Sequence, residues 1–188
     1  GAKMAFDDYR DMLAFPDVEA VAVLLKVPAH YQVTLDALNA GKHVFTEWPL
    51  GKTQAEAVEM CDVAETQGLR HMVGLQARAN PAIVHARDLV AGGYVGEVLA
   101  CHVSVARSGV LQSSSDRSWQ KDGSLGANTL TIPTGHTIDA LRFIVGDFSV
   151  VSSVVATQVR QCLETDTQKH VDVTSPDNVL VSGRLGNG

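Results

Sequence analysis

The sequence predicts an α/β protein: a partial, Rossmann-like parallel sheet followed by an α/β unit with a largely antiparallel open sheet. Three observations predict it. In the first half, short apolar runs alternate with helix-like segments, the pattern of β-α-β units. Beyond Asn80-Pro81 the period changes, and β-branched residues alternate with polar ones as in half-exposed strands. The 188 residues are 45% hydrophobic and 19% charged, which suffices to bury a core and is too apolar for a disordered chain.

The elements follow in order. Ala20 to Leu25 is a continuous apolar run after the turn-like Phe15-Pro16-Asp17, as expected of a central strand covered on both faces. From Pro28 to Asn39, Tyr31, Leu35 and Leu38 recur at helical spacing, Pro28 suits a first turn, and Gly41 suits a left-handed cap. His43 to Glu47 reads as the second strand, with a loop over Trp48 to Lys52. Thr53 and Glu56 form a capping-box pattern opening a helix that Gly68 closes, and Arg70 to Leu75 is the third strand. After Asn80-Pro81 a helix runs to about Val90 and stops at Gly92-Gly93, and Val98 to Ala106 has strand alternation. Arg107 to Gly126, rich in Ser, Gly and Asp, predicts a long loop suited to a substrate or partner lid. A helix over Thr137 to Val145 precedes strand patterns at Phe148 to Val159, His170 to Thr174 and Asn178 to Leu185.

Two domains are expected, residues 1–78 and 79–188. A nucleotide-binding β-α-β fold should open with a strand, a glycine-rich turn and a helix, yet nothing before Ala20 supplies them and no G-x-G-x-x-G occurs. The end on Leu185-Gly186-Asn187-Gly188 falls within a strand pattern, so a chain truncated at both ends is expected.

Charge and cysteine content exclude several function classes. Fifteen Lys plus Arg against 21 Asp plus Glu give a net charge of -6, which opposes direct nucleic-acid or anionic-membrane binding. No apolar run is long enough to span a bilayer, and a soluble, cytoplasmic protein is expected. Cys61, Cys101 and Cys162 are odd in number and lack C-x-x-C spacing, so neither a disulfide framework nor a zinc knuckle is indicated. The histidines show no metal-ligand pairing, and no metal is expected.

The landmarks that carry function are Pro28-Ala29-His30-Tyr31, the run Ala37 to Val44, Glu47-Trp48-Pro49-Leu50, Gly74-Leu75-Gln76-Ala77-Arg78, Gly96-Glu97-Val98 and Gly135-His136-Thr137-Ile138-Asp139. In this order and spacing, from about Phe6 to Leu185, the chain resembles the Gfo/Idh/MocA family of oxidoreductases. The resemblance implies an N-terminal Rossmann domain binding NAD or NADP, a C-terminal α/β domain that often forms the oligomer interface, and a sugar or polyol dehydrogenase homologue. It also implies a dinucleotide, a small sugar-like molecule and further copies of the chain as partners.

The departures from the family pattern bear on catalysis. Active members usually have Glu-Lys-Pro where this chain has Glu47-Trp48-Pro49, and the lysine polarises the substrate oxygen. They usually carry an aspartate at the position of Ile132, and the asparagine of the Pro-Asn-x-x-His motif is replaced by Val27. One of three expected polar catalytic groups, His136, is kept. Glu-Trp-Pro-Leu with Thr-Gly-His-Thr-Ile-Asp resembles a narrower branch containing a fungal galactose-regulon repressor and bacterial relatives. That branch implies dinucleotide bound as a ligand, weak or altered catalysis, and, as the alternative, a non-catalytic regulator with a protein partner.

Residue by residue, Val27, His30, Glu47, Trp48, Pro49 and Gln76 are expected to bind the dinucleotide. Glu47 to Pro49 have the alternative of an ordinary strand-ending turn with a packed indole, and His30 that of a structural role. His136 is the candidate catalytic proton carrier, or a helix-start histidine bonded to backbone. Arg78, Trp119 and His136 are the candidate substrate ligands, although Arg78 can as easily pair with a carboxylate and Trp119 can be ordinary loop. Asp139, one turn beyond His136, is expected to support rather than to do chemistry.

Overall fold

The structure, a computed structural model, describes residues 3–186. The chain divides into two compact units, Gly1–Gly74 and Leu75–Gly188. Asn187 and Gly188 of the expected truncated strand lie outside the described residues.

In the first unit, a helix absent from the sequence reading, α1 (Tyr9–Ala14), is capped by the Asp8 carboxylate, which accepts from the Arg10 N–H at 2.8 Å. Then come β1 (Ala20–Val23), α2 (Val27–Asn39), β2 (His43–Glu47), α3 (Gln54–Thr66) and β3 (His71–Gly74). The three strands are parallel in the order β1-β2-β3, so β2 is central and β1 is an outer strand of the described sheet. Two expectations are corrected here. β1 stops at Val23, because its register with β2 ends at Val23 opposite Thr46, and Leu24 and Leu25 lie beyond the ladder. It is also covered on one face only: Val21 and Val23 are buried while Ala20 and Ala22 are exposed. The core joins Leu13, Val21, Val23, Ala37, Leu38, Val44 and Ala64, which places α1, α2 and α3 against the inward side chains of β1 and β2.

Gly41 and Gly68, at φ +72 and +64, end α2 and α3 in the left-handed conformation that their sequence positions predict. The capping box forms differently from its expected reciprocal pattern. Thr53 accepts from the Glu56 N–H at 3.2 Å, but the Glu56 carboxylate takes the Lys52 N–H at 2.7 Å, one residue before the cap. The third strand is shorter than Arg70 to Leu75, since the Arg70 N–H turns to the His43 ring nitrogen and Leu75 is already outside the ladder.

The second unit contains α4 (Pro81–Ala91), β4 (Gln112–Ser113), α5 (Gly135–Val145), β5 (Phe148–Ala156), β6 (Gln161–Glu164), β7 (His170–Asp172) and β8 (Asn178–Leu185). β5 and β8 pair antiparallel, β6 pairs antiparallel with β7, and β4 adds to β6 in parallel. α5 is entered through a π-helical turn, Leu130–Thr134, which contains Pro133, so helical backbone begins before the expected Thr137. β4 and β6 have no counterpart in the sequence reading, because two and four residues are too few to show a period.

Two further expectations are corrected. Val98 to Ala106 has strand alternation but joins no ladder among the described residues, and its side chains are mostly exposed. A period-2 pattern records which faces differ, not whether a neighbouring strand is there. The stretch Arg107 to Gly126 is no open loop. It holds β4 and two short 3₁₀ turns, Ser115–Lys121 and Gly123–Leu125. Asp166 takes both the N–H and hydroxyl of Ser115, buried Glu164 accepts from Ser118 at 2.5 Å and from Thr167, and the Lys121 carbonyl receives the Thr174 and Ser175 amides. These bonds satisfy the polar backbone that a loop otherwise leaves to water. The two hydroxyls hold the Glu164 carboxyl below its ordinary range.

Candidate functional site

In the first unit, the carboxyl ends of β1 and β2 carry five of the candidate residues. β1 runs into exposed Leu24 and Leu25 and then into α2, whose first turn contains buried Val27 and Pro28. α2 has no side-chain cap, and Pro28 sits in its first turn, where a missing N–H costs nothing. β2 ends on exposed Glu47 and passes through half-buried Trp48 into buried Pro49, with a cis Trp48–Pro49 peptide.

His30 ties these two strand ends together. Its side chain is 1% exposed, Nδ1 lies 2.8 Å from the Pro49 carbonyl oxygen, and Nε2 lies 2.8 Å from the Leu25 carbonyl oxygen. Both neighbours are acceptors, so a neutral ring donates to one of them and a doubly protonated ring to both. Below it, Thr34 and Thr46 share a buried hydroxyl bond of 3.0 Å between α2 and β2. The sequence carries no signal for that pair, since helical and strand periods mark a side chain as inward without naming its partner.

In the second unit, Gln76 and Arg78 lie on a short 3₁₀ turn, Gln76–Ala79, which packs against α4 and α5. Gln76 is exposed. Arg78 forms a fork onto Asp139 of α5, with Nη2–Oδ1 at 2.5 Å and Nε at 3.1 and 3.0 Å from the two oxygens. The Asp139 side chain is 9% exposed and that of Arg78 47%, so the carboxylate is the buried partner. The pair raises the Arg78 pKa, chiefly through the hydrogen bond to Asp139. Arg78 and Arg87 also both approach the Phe143 ring, at 5.7 and 4.7 Å from its centroid. Asp139 thus supports Arg78, a partner that the sequence reading left open.

His136 is half-buried on the first turn of α5, three residues before Asp139. Trp119 lies on the 3₁₀ turn Ser115–Lys121, which packs on β6 and β7. The structure therefore gathers Gln76, Arg78 and α5 around one short turn, while the turn that carries Trp119 packs on the small sheet. What sequence reasoning missed was Phe143 as a platform for two guanidinium groups; its place one turn beyond Asp139 is the only available signal.

A parallel β-α-β sheet with a pinned turn at its strand ends, followed by a separate α/β unit, places the protein in the α/β class whose ligands sit beyond the strand carboxyl ends. Residues 1–75 match the family described as the oxidoreductase family with an NAD-binding Rossmann fold, and residues 81–188 match the Gal80p C-terminal domain. The chain belongs to the Gfo/Idh/MocA oxidoreductase family. Among its relatives is the dehydrogenase aclE of Aspergillus oryzae, 30% identical over 91% of this chain and 48% of that protein. The solved structure of the transcriptional regulator Gal80p from Kluyveromyces lactis superposes with a TM-score of 0.89 at 25% identity, covering 97% of this chain and 47% of that one. Levoglucosan dehydrogenase in complex with NADH and levoglucosan gives a TM-score of 0.81 at 28% identity, covering 97% and 49%. The chain spans about half the length of the curated relatives it matches.

Proposed function

We propose that this protein binds NAD or NADP and a small sugar or polyol, as an oxidoreductase homologue whose hydride transfer is attenuated. The carrying observation is the Glu47-Trp48-Pro49 turn at the carboxyl end of β2, held by buried His30. Ligands of parallel α/β sheets sit beyond the strand carboxyl ends. The residues there fit a nicotinamide: Leu24 and Leu25 offer apolar surface, His30 fixes the Pro49 carbonyl, and Glu47 is exposed beside them. Val27, His30, Glu47, Trp48, Pro49 and Gln76 form the dinucleotide-binding set. When bound, the nicotinamide supplies the hydride acceptor or donor.

In the second unit, His136 takes or returns the proton of the substrate hydroxyl, and Arg78 and Trp119 bind the sugar-like molecule. Because Asp139 engages Nε and Nη2, Arg78 meets a ligand through Nη1 in a fixed orientation. Trp48 cannot supply the charge that the family's lysine lends to a developing oxyanion, and Ile132 cannot replace an aspartate. The loss of both groups is what attenuates turnover.

The protein is read as cytoplasmic and homo-oligomeric. No helix among the described residues is long and apolar enough to cross a membrane. Exposed Val150 and Val154 on β5, with Leu180 opposite Val154 on β8, form apolar surface on one face of the sheet that self-association would cover. A second reading is a non-catalytic dinucleotide-sensing regulator with a protein partner. It is favoured by the match of residues 81–188 to the Gal80p C-terminal domain together with Trp48.

The deciding experiment offers the protein NAD or NADP with a panel of aldoses and polyols, follows the reduced-nicotinamide absorbance, and titrates NADH and NADPH separately by fluorescence. Slow turnover that falls further in His136→Ala supports the first reading. Tight cofactor binding with no turnover supports the regulator. If neither dinucleotide binds, both readings fall.

A further inference from the structure

α3 and β3 bring three metal-ligating side chains to one point on the first unit. Cys61 and Glu65 are four residues apart on α3, so they share a helix face. Gly68, at φ +64, then turns the chain so that His71 opens β3 beside them. A ligand atom from each of Cys61, Glu65 and His71 lies within 4.8 Å of the other two. Cys61 is half-buried and the other two are exposed. The Cys61 thiol already donates to Glu65 Oε1 at a sulfur–oxygen distance of 3.6 Å. The sequence predicts no metal, because its histidines show no metal-ligand pairing and its cysteines no C-x-x-C spacing; the fold, not the spacing, makes the cluster.

We propose that Cys61, Glu65 and His71 bind one divalent cation of the zinc type, which braces the end of α3 to the start of β3. The donor set is one sulfur, one nitrogen and one oxygen. Magnesium and calcium prefer six or more oxygens, whereas thiolate and imidazole together select zinc-like cations. Ligand atoms about 2.0–2.3 Å from a tetrahedral metal lie roughly 3.3–3.8 Å apart, so rotamer adjustment of the two exposed side chains closes the site. Thiolate and carboxylate together neutralise the cation, and water completes the fourth position. On binding, the S–H bond breaks, a metal–sulfur bond forms, and the proton passes to buffer. The strands are parallel and His71 begins β3, so this site lies at the opposite end of the sheet from the turn at Pro49. The site is therefore separate from the dinucleotide turn.

The test titrates reduced, chelator-treated protein with Co²⁺, using the metal itself as probe. The wild type should show one equivalent bound, a near-ultraviolet thiolate-to-cobalt band and tetrahedral visible bands, all displaced by Zn²⁺. Cys61→Ser should abolish the thiolate band, while Cys101→Ser leaves it unchanged. Glu65→Gln and His71→Ala, both at exposed positions that spare the fold, should each weaken Co²⁺ binding by at least about 10-fold. Zn²⁺ should raise the melting temperature of the wild type and not of His71→Ala. A wild type without the band, a band that survives in Cys61→Ser, or Glu65→Gln and His71→Ala titrating like the wild type would each overturn the site.

Discussion

Arg78 and Asp139, 61 residues apart in sequence, are locked in a two-pronged ion pair, with Nη2–Oδ1 at 2.5 Å and Nε–Oδ2 at 3.0 Å. The fork fixes the guanidinium plane and joins the turn after β3 to α5, the helix that carries His136. Planar, bidentate geometry is specific to arginine, and lysine would not reproduce it.

Removing either partner should have unequal effects. Arg78→Ala leaves a buried carboxylate without its cation and should cost about 2–3 kcal/mol, less than a fully buried pair because Arg78 is half exposed to screening water. Asp139→Asn keeps an acceptor for the guanidinium and should cost about 1 kcal/mol. Urea denaturation of the two variants checks the order; equal losses would mean that the pair behaves as an ordinary surface bridge.

His30→Ala should destabilise the first unit by about 2–4 kcal/mol, from the cavity it opens and the carbonyls it strands. The same change should release the turn at Pro49 and alter the surroundings of Trp48. In a Trp119→Phe background, Trp48 is the sole indole, so its emission maximum should shift in His30→Ala and stay put in a Thr34→Val control.

Tyr9 and Asp36 should give a measurable acid dependence. The Tyr9 hydroxyl donates to the Asp36 carboxylate at 2.5 Å, and that bond, with smaller help from Gln32 and Arg10, holds the carboxyl below its ordinary value. A carboxylate with a depressed folded pKa adds stability that is present above its unfolded value, about 3.9, and is lost as pH falls through the lower folded value. Tyr9→Phe should therefore lose stability at neutral pH and converge with the wild type near pH 2. Parallel denaturation curves from pH 6 to 2 that never converge would remove Asp36 from the account.

Restoring the missing charges should restore turnover if the second unit positions a substrate as proposed. Trp48→Lys with Ile132→Asp should raise the rate on any accepted sugar by about 100-fold, the usual contribution of a placed acid or base. No gain, with NADH still bound, would move the protein to the regulator reading.

The sequence alone determined the β-α-β alternation, the helix ends at Gly41, Gly68 and Gly93, the β2 strand to the residue, and the motif order that marks the family. These are local signals: backbone freedom at glycine, periodicity, and residues at fixed offsets along the chain. What only the tertiary structure decided is pairwise and long-range. Among the described residues it made β1 an outer strand and β2 the central one, left Val98 to Ala106 outside any ladder, and anchored Arg107 to Gly126 through Glu164 and Asp166. It gave Arg78 to Asp139, His30 to the carbonyls of Leu25 and Pro49, and Cys61 and Glu65 to His71. A side chain's type shows what it can bond to, but which partner comes within 3 Å depends on how strands and helices far apart in sequence pack, and no local period encodes that.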